Sequence, residues 1–401
     1  MAKKLRRHFL RSQLPDNKIL KALHGSSMRI VHVTPFYYPV IGGVEEVVKR
    51  IAEHMAEKGH EVYVITYNRL RRGGLNALFR EKVINGVRVI RLKPDFIWAH
   101  GSYSSELPQV IKSIKPDLVH VHVWRHPHVF QIAKLKRVMR FKAVLHGHAP
   151  FHKISQLGTT TWIYHRLADL FGRGHLRMYD VYVALTPYEA KRVMDIGLDG
   201  IKVIVVPNGI SEDNCMVDPA VKKEHQVLYL GRISMSKNLD LLIKAMSYVA
   251  KDVSKVELVL AGPDEGLTGD LLRYAEKKGV KAKYLGEVYE KQKHKLYLES
   301  SVYALPSLYE PFGITLLEAG IHATPSVITG EGGQLYAAPP NKASLWAKPN
   351  PKNYAKAIAM LLTDRKLREK LGQQARKWAK MHTWNRILPK YEKLYEKLMI
   401  S

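Results

Sequence analysis

Two glutamates separated by seven residues, Glu310 and Glu318, stand in the segment Leu305-Pro-Ser-Leu-Tyr-Glu-Pro-Phe-Gly-Ile-Thr-Leu-Leu-Glu318. The first falls in a loop after an apolar run, and the second falls inside the helical pattern that follows. Phe312, Gly313, Ile314 and Thr315 lie between them and form the start of that helix. A helix start offers free backbone N–H groups and the positive end of the macrodipole, a combination that suits a phosphate. Glu310 could then orient sugar hydroxyls beside the phosphate, and Glu318 could hold ribose hydroxyls. On spacing alone, both also fit solvated acids.

A second segment, Leu228-Tyr-Leu-Gly-Arg-Ile-Ser-Met-Ser-Lys-Asn238, ends a strand-like run in Gly231-Arg232 and places Lys237 at a helix start. Two cations at the carboxyl end of a parallel strand would neutralise a diphosphate leaving group. In so basic a chain they fit a solvated surface as well. Gly42 and Gly43 follow the first apolar run and permit close approach of a ligand. Their spacing is not the Gly-x-Gly-x-x-Gly dinucleotide fingerprint.

Histidine is concentrated. Of the 19 in the chain, His120, His122, His126, His128, His146, His148 and His152 fall within one short stretch. On a strand His120 and His122 share a face. A metal site would need carboxylates that this stretch lacks, so no metal is expected. His146, at a strand end before Gly147, is expected to reach into a cleft and bond a sugar hydroxyl or a phosphate. His120 and His126 are expected to be structural.

Those residues must be positioned by elements that the pattern reveals. From Met28 the chain alternates short apolar runs with amphipathic helices. Strands are expected at Ile30–Val33, Glu61–Thr66, Val87–Leu92, Leu118–Val123, Ala143–His146, Val181–Leu185 and Lys202–Val206. A helix over Val44–Lys58 carries apolar residues at Val44, Val47, Val48, Ile51 and Met55, a helical period. After an acidic stretch, Ser211–Glu224, the alternation restarts. Strands follow at Val227–Gly231, Val256–Ala261, Tyr284–Leu285, Val302–Leu305 and Ser326–Thr329, with helices over Leu239–Val249 and Gly313–His322. The tail, Tyr354–Lys380 and Trp384–Met399, reads as helical. Two such runs imply an α/β protein of two doubly wound, Rossmann-like domains facing across a cleft. The division is a basic arm over 1–27, a first domain over 28–206, a second over 207–383, and a C-terminal helix over 384–401 that crosses back to the first domain.

The length, 401 residues, accommodates two such cores. The formal charge is +28, from 64 basic and 36 acidic residues, which points to a polyanionic partner. The single cysteine, Cys215, excludes an intramolecular disulfide framework and a cysteine-based zinc cluster. No stretch approaches the ~20 apolar residues of a membrane span, and the first 27 residues lack the apolar core of a signal peptide. A cytoplasmic protein, soluble or peripheral on the cytoplasmic membrane face, is expected. The arm and a basic helix at Ala133–Arg140, carrying Lys134, Lys136, Arg137 and Arg140, are the segments suited to anionic lipid.

Taken together, the Glu310–Glu318 segment resembles the E-x7-E signature of retaining glycosyltransferases of family 4 (glycosyl transferases group 1), which have the GT-B fold. Gly42-Gly43 with Glu45 resembles the acceptor-side glycine loop. Asp117-Leu-Val-His-Val-His122 and Val144-Leu-His-Gly147 resemble the paired strands and active-site histidine. Val206-Pro-Asn-Gly-Ile210 resembles the stretch leading into the second domain, and Gly231-Arg232 with Lys237 the diphosphate clamp. The likeness runs from Met28 to about Ile400. It implies transfer of a sugar from a nucleotide-sugar donor to a sugar, glycan or lipid-linked acceptor. Arg232, Lys237 and the helix start at Phe312–Thr315 would stabilise the departing diphosphate. Glu310 would hold the sugar, Glu318 the ribose and His146 a donor hydroxyl, without cofactor or metal. The sequence departs from the pattern at Pro311 and after Glu331-Gly-Gly-Gln334, which leaves the base-side contacts of that loop open. Two other readings remain: a nucleotide-sugar hydrolase or epimerase on the same fold, and a basic nucleic-acid-binding protein. Nucleic acid is not the expected partner, because no reading element accompanies the charge.

Overall fold

The computed structural model describes residues 27–70, 74, 78–98, 101–152, 154–197, 200–211 and 223–401. The basic arm therefore lies outside the described residues except for Ser27, as does most of the acidic stretch after Ser211.

In chain order the strands of the first half are β1 (Arg29–Val33), β2 (Glu61–Tyr67), β3 (Glu81–Ile84), β4 (Val87–Leu92), β5 (Phe96–Trp98), β6 (Gly101–Tyr103), β7 (Leu118–His122), β8 (Lys142–His146), β9 (Val181–Ala184) and β10 (Lys202–Val205). The second half contributes β11 (Lys223–Leu230), β12 (Glu257–Ala261), β13 (Ala282–Tyr284), β14 (Ser300–Leu305), β15 (Ser326–Ile328) and β16 (Ser344–Trp346). The helices are α1 (Gly43–Glu57), α2 (Leu107–Ile114), α3 (Pro127–Lys136), α4 (Ile154–Leu157), α5 (Thr159–Leu176), α6 (Pro187–Asp195), α7 (Leu239–Asp252), α8 (Thr268–Lys277), α9 (Glu290–Glu299), α10 (Ile314–Ile321), α11 (Gln334–Ala337), α12 (Pro351–Thr363), α13 (Arg365–Lys380) and α14 (Trp384–Ile400).

Both expected doubly wound sheets are present. The first has the order β10-β9-β8-β7-β1-β2-β4-β3, and the second β13-β12-β11-β14-β15-β16. Within these two sheets all pairs are parallel except β3 with β4, an edge strand added antiparallel. Each sheet reverses its winding once, between β1 and β7 and between β11 and β14. Ligands in such sheets bind outside the strand carboxyl ends at these switch points. Strands β1 and β7 are buried throughout apart from Arg29, as expected for a parallel sheet covered on both faces.

Alternation divides the first sheet into two packed faces. Val31, Val33, Val119, Val121 and Leu145 pack on one side, with Ile111 and Ile132 of the covering helices. Ile30, Val64, Leu118 and Val144 pack on the other, against Val47 and Ile51 of α1 and against Trp384, Ile387, Tyr391 and Tyr395 of α14. Thus α14 lies on the first domain. The chain crosses there through a two-bond pairing, Ile210 N–H to His382 O at 2.9 Å and Trp384 N–H to Ile210 O at 3.0 Å.

The basic helix is displaced from its expected position. It spans Pro127–Lys136, with proline in the first turn where its missing N–H costs nothing. Lys136 turns inward, bonding Phe141 O at 2.7 Å and pairing with Asp180 at 2.8 Å. The sequence reading also missed α5 and the β5–β6 hairpin.

Candidate active site

The strand ends at the second sheet's switch point bring the predicted donor residues together. Strand β11 ends at Leu230, and Arg232 follows with its carbonyl held by the Tyr229 hydroxyl at 2.8 Å. Its guanidinium is exposed and lies 3.3 Å from Glu265. A single turn, Met235–Lys237, then presents Lys237. Asn238 ties this turn to the other strand end by donating to Pro306 O at 3.2 Å. Lys237 Nζ lies 2.6 Å from Glu310 Oε1, with both side chains largely buried. The cation expected on the phosphate and the acid expected on the sugar thus neutralise each other. Polar hydroxyls and a diphosphate can replace that pairing without leaving either charge alone.

Gly313 caps α10 with φ 92°, a left-handed conformation that an L side chain rarely adopts. It redirects the chain from the Glu310 loop into α10. Phe312 is buried and anchors the cap, while Ile314 and Thr315 begin the helix. Glu318 sits one turn further along. It accepts from Lys293 at 2.7 Å and from the Tyr297 hydroxyl at 3.0 Å, so its carboxylate is fixed while lone pairs remain for a diol.

The Glu331-Gly-Gly-Gln334 loop acts as a buttress. Gly333 N–H donates to Glu310 O at 2.7 Å, and Gln334 Nε2 donates to Ser307 O at 2.5 Å. A Cβ on Gly333 would stand 2.3 Å from Phe312 Cα, so only glycine admits this approach.

The first domain meets this site through two loops. A Cβ built on Gly43 would lie 3.4 Å from Ile314 Cδ1, which sets the Gly42-Gly43 loop opposite the start of α10. Gly42 itself is extended. The loop after β8 supplies Phe151 and His152, and the Tyr309 hydroxyl donates to Ala149 O across the cleft at 2.7 Å. His152, which the sequence reading left without a role, packs its ring 4.9 Å from that of Tyr309. Burial pushes its pKa down to about 4, opposed by the nearby Glu310 and assisted by Lys237, Arg125 and Arg232. The shift favours a neutral ring beside the Lys237–Glu310 pair.

That loop is held by Glu189, which the sequence marks only as the third residue after the Thr186 helix cap. Its carboxylate accepts from Ala149 N–H at 2.8 Å, Leu185 N–H at 2.7 Å and the Tyr182 hydroxyl at 2.9 Å. Complete burial pushes its pKa up to about 7 against those three bonds.

His146 departs from expectation. It has no accessible surface and does not open onto the cleft. The β7–β8 register pairs His122 with His146 and so places both on the face that α14 covers. The ring stacks on His148 at 3.9 Å and lies 6.1 Å from Tyr391.

Comparisons with known proteins bear on the family and the fold. The family profile of glycosyltransferase family 4 matches residues 41–214, and that of glycosyl transferases group 1 matches residues 214–378. The chain is 27% identical to an uncharacterised glycosyltransferase of Methanocaldococcus jannaschii, over 92% of this chain and 98% of that protein. It is 24% identical to the gpi3 subunit of the phosphatidylinositol N-acetylglucosaminyltransferase of Schizosaccharomyces pombe, over 91% of this chain and 80% of that one. Among solved structures, Anabaena HepE in complex with UDP and glucose superposes with a TM-score of 0.71 at 17% identity, covering 92% of this chain and 100% of that one, and so shares the GT-B fold. With the two profiles in tandem spanning both domains, the chain belongs to the group 1, family 4 glycosyltransferases.

Proposed function

We propose that this chain transfers a sugar, with retention of configuration, from a nucleotide-sugar donor to a lipid-linked acceptor at a membrane surface. The observation that carries the donor half is the Lys237–Glu310 pair beside the start of α10. Lys237, Arg232 and the α10 N–H groups stabilise the charge that develops on the departing nucleoside diphosphate. Glu310 and His152 take hydroxyls of the sugar, and Glu318 takes the ribose. His146 reaches a donor hydroxyl only if the loop carrying His148 moves.

In the transfer, the bond from the anomeric carbon to the diphosphate oxygen breaks. The acceptor oxygen bonds to the same face, and its proton passes to the departing phosphate oxygen. No step needs a metal, because protein cations supply the charge. HepE holds UDP and glucose in its complex, which supports a UDP-sugar as donor. The experiment is incubation with a panel of nucleotide-sugars and a membrane-lipid extract, following nucleoside diphosphate release and sugar incorporation. Release with free sugar or an epimer, and no incorporation, would favour the hydrolase or epimerase reading.

Helix α5 supports the acceptor half. Its solvent face carries Ile163, Leu167, Leu170 and Phe171, with Phe171 72% exposed. At 3.6 residues per turn these form one stripe, with exposed Arg166, Arg173 and Arg177 along one border. Its only acid, Asp169, is buried and clamped by Arg125 at 2.7 Å. An apolar stripe edged with arginine and free of exposed acid suits an anionic bilayer surface. The yeast relative is named for a phosphatidylinositol-directed transferase, which agrees with a lipid acceptor. In sedimentation with phosphatidylglycerol vesicles at low salt, the double variant L170E/F171E should bind at least about tenfold more weakly than wild type, since each side chain contributes roughly 1.5–3 kcal/mol when buried. Nucleotide binding should be unchanged. Equal vesicle binding by both proteins would remove α5 from the proposal.

A further inference from the structure

Five histidines converge on the face of the first sheet that α14 covers: His32, His120, His122, His146 and His148. Register produces this, since His32 pairs with His120 across β1 and β7, and His122 pairs with His146 across β7 and β8. The sequence stretch alone concealed it, because His32 lies 88 residues before His120 in the chain. The expectation of no metal there rested on a shortage of ligands, and His32 fills that shortage.

Within the cluster, His32 Nδ1 lies 3.0 Å from His122 Nε2, and His122 Nδ1 lies 3.1 Å from His148 Nε2. His120 Nδ1 lies 2.6 Å from the Tyr395 hydroxyl. The Nε2 atoms of His32 and His120 are buried without a hydrogen-bond partner. Leaving such groups unsatisfied costs about 1–3 kcal/mol each. His32, His120 and His122 each place a ring nitrogen within 4.8 Å of one another.

We propose that His32, His120 and His122 bind one divalent transition-metal ion of the zinc class. The donor set contains nitrogen alone, which suits zinc, copper or nickel and not magnesium or calcium. One assignment of protons supplies all three lone pairs and leaves His32 Nε2–H as the one ligand N–H without a partner. His122 gives its Nε2 lone pair to the ion and donates Nδ1–H to His148. His120 gives its Nε2 lone pair and donates Nδ1–H to Tyr395, and His32 gives its Nδ1. Two of the three ligands are then oriented through their second nitrogen, as metal-bound histidines usually are. The alternative triad, His122, His146 and His148, shares His122 and leaves both nitrogens of His146 unheld. A neutral imidazole has one lone pair, so only one triad fills. The ion is distinct from the donor-binding groups and joins β1, β7 and, through Tyr395, α14.

All three ligands lack accessible surface, so the ion enters during folding. The test uses full-length protein with any affinity tag removed. The protein is unfolded with chelator, refolded with and without zinc sulfate, dialysed and assayed for bound metal by mass spectrometry. About one zinc per chain and a higher unfolding midpoint in the zinc-refolded sample are expected. Cobalt in place of zinc should give a visible ligand-field absorption that the metal-free protein lacks. Y395F keeps every ligand but loses one outer hydrogen bond, and should weaken zinc binding about tenfold or more. Refolded wild type that holds no zinc, shows no cobalt spectrum and melts identically with and without zinc would overturn the proposal, leaving ordered water as the partner of those nitrogens. Zinc binding that Y395F leaves unaltered would overturn the assigned triad.

Discussion

Replacing Lys237 with alanine is expected to lower the rate of sugar transfer about 10²–10³-fold, the scale on which removal of one charge-stabilising donor acts. The variant removes the cation paired with Glu310 and proposed to face the diphosphate. It also leaves the Glu310 carboxylate, 8% exposed, without its ion-pair partner. Breaking a buried pair from one side costs about 3–5 kcal/mol, so lost activity could reflect lost folding. The double variant K237M/E310Q separates the two effects. It removes both charges and should recover most of the single variant's stability, because no unpaired buried charge remains. Its activity should stay as low as that of K237A. A double variant with activity restored alongside stability would mean that the pair is structural only. Steady-state transfer rates and thermal midpoints, measured on the same preparations, check both halves.

Acidification should unfold the first domain well before ordinary carboxylates protonate. Burial pushes His32 and His148 down to about 3 and His128 to about 4, and His120, His122 and His146 well below the usual histidine value. In the unfolded chain each titrates near its ordinary value of about 6.5. Between those limits the unfolded state binds more protons, so stability rises with pH and falls as pH drops. The contribution is complete above about pH 6.5 and is lost progressively toward pH 3. Each histidine loses about 1.4 kcal/mol per pH unit. For His32, His148 and His128, a fall from about pH 6.5 to about pH 5 removes roughly 2 kcal/mol each, and the other three histidines act in the same direction.

Glu189 opposes this. Its folded pKa is raised to about 7, so its contribution is full below its unfolded value of about 4.5 and is lost as pH rises toward 7. One carboxyl does not offset six imidazoles. Melting followed by circular dichroism should show the midpoint falling steeply from pH 7 to pH 5. The slope should lessen in a variant that replaces His120 with phenylalanine. A midpoint flat across that range would contradict the buried, neutral cluster.

The segments of the candidate donor site were readable because each is local. Glu310, Gly313 and Glu318 occupy one loop–helix segment, and Arg232 and Lys237 another, so strand, cap and helix start could be placed by pattern. That these two segments adjoin follows from winding, since β11 and β14 flank the point where the sheet reverses. The histidine cluster was not readable, because it depends on the pairing of β1 with β7 and of β7 with β8. The same register, which pattern does not supply, turned His146 away from the cleft. Helix α5 escaped notice for a different reason. Its apolar residues recur at helical spacing but face solvent, and periodicity locates a stripe without saying which side is buried. Glu189 carries only the helix-start signal of Thr186-Pro-Tyr-Glu189, which marks a cap and says nothing of its bond to Ala149, a partner brought to it by the fold.

The central claim is that the Lys237–Glu310 site transfers a sugar from a nucleotide donor without changing its anomeric configuration. It is tested most directly by the anomeric configuration of the first product formed from an α-linked UDP-sugar, read from the anomeric proton coupling in nuclear magnetic resonance before any equilibration. The α-anomer is expected in the transferred sugar, with loss of the product in K237A. A β-linked product, or full product formation by K237A, would contradict the account.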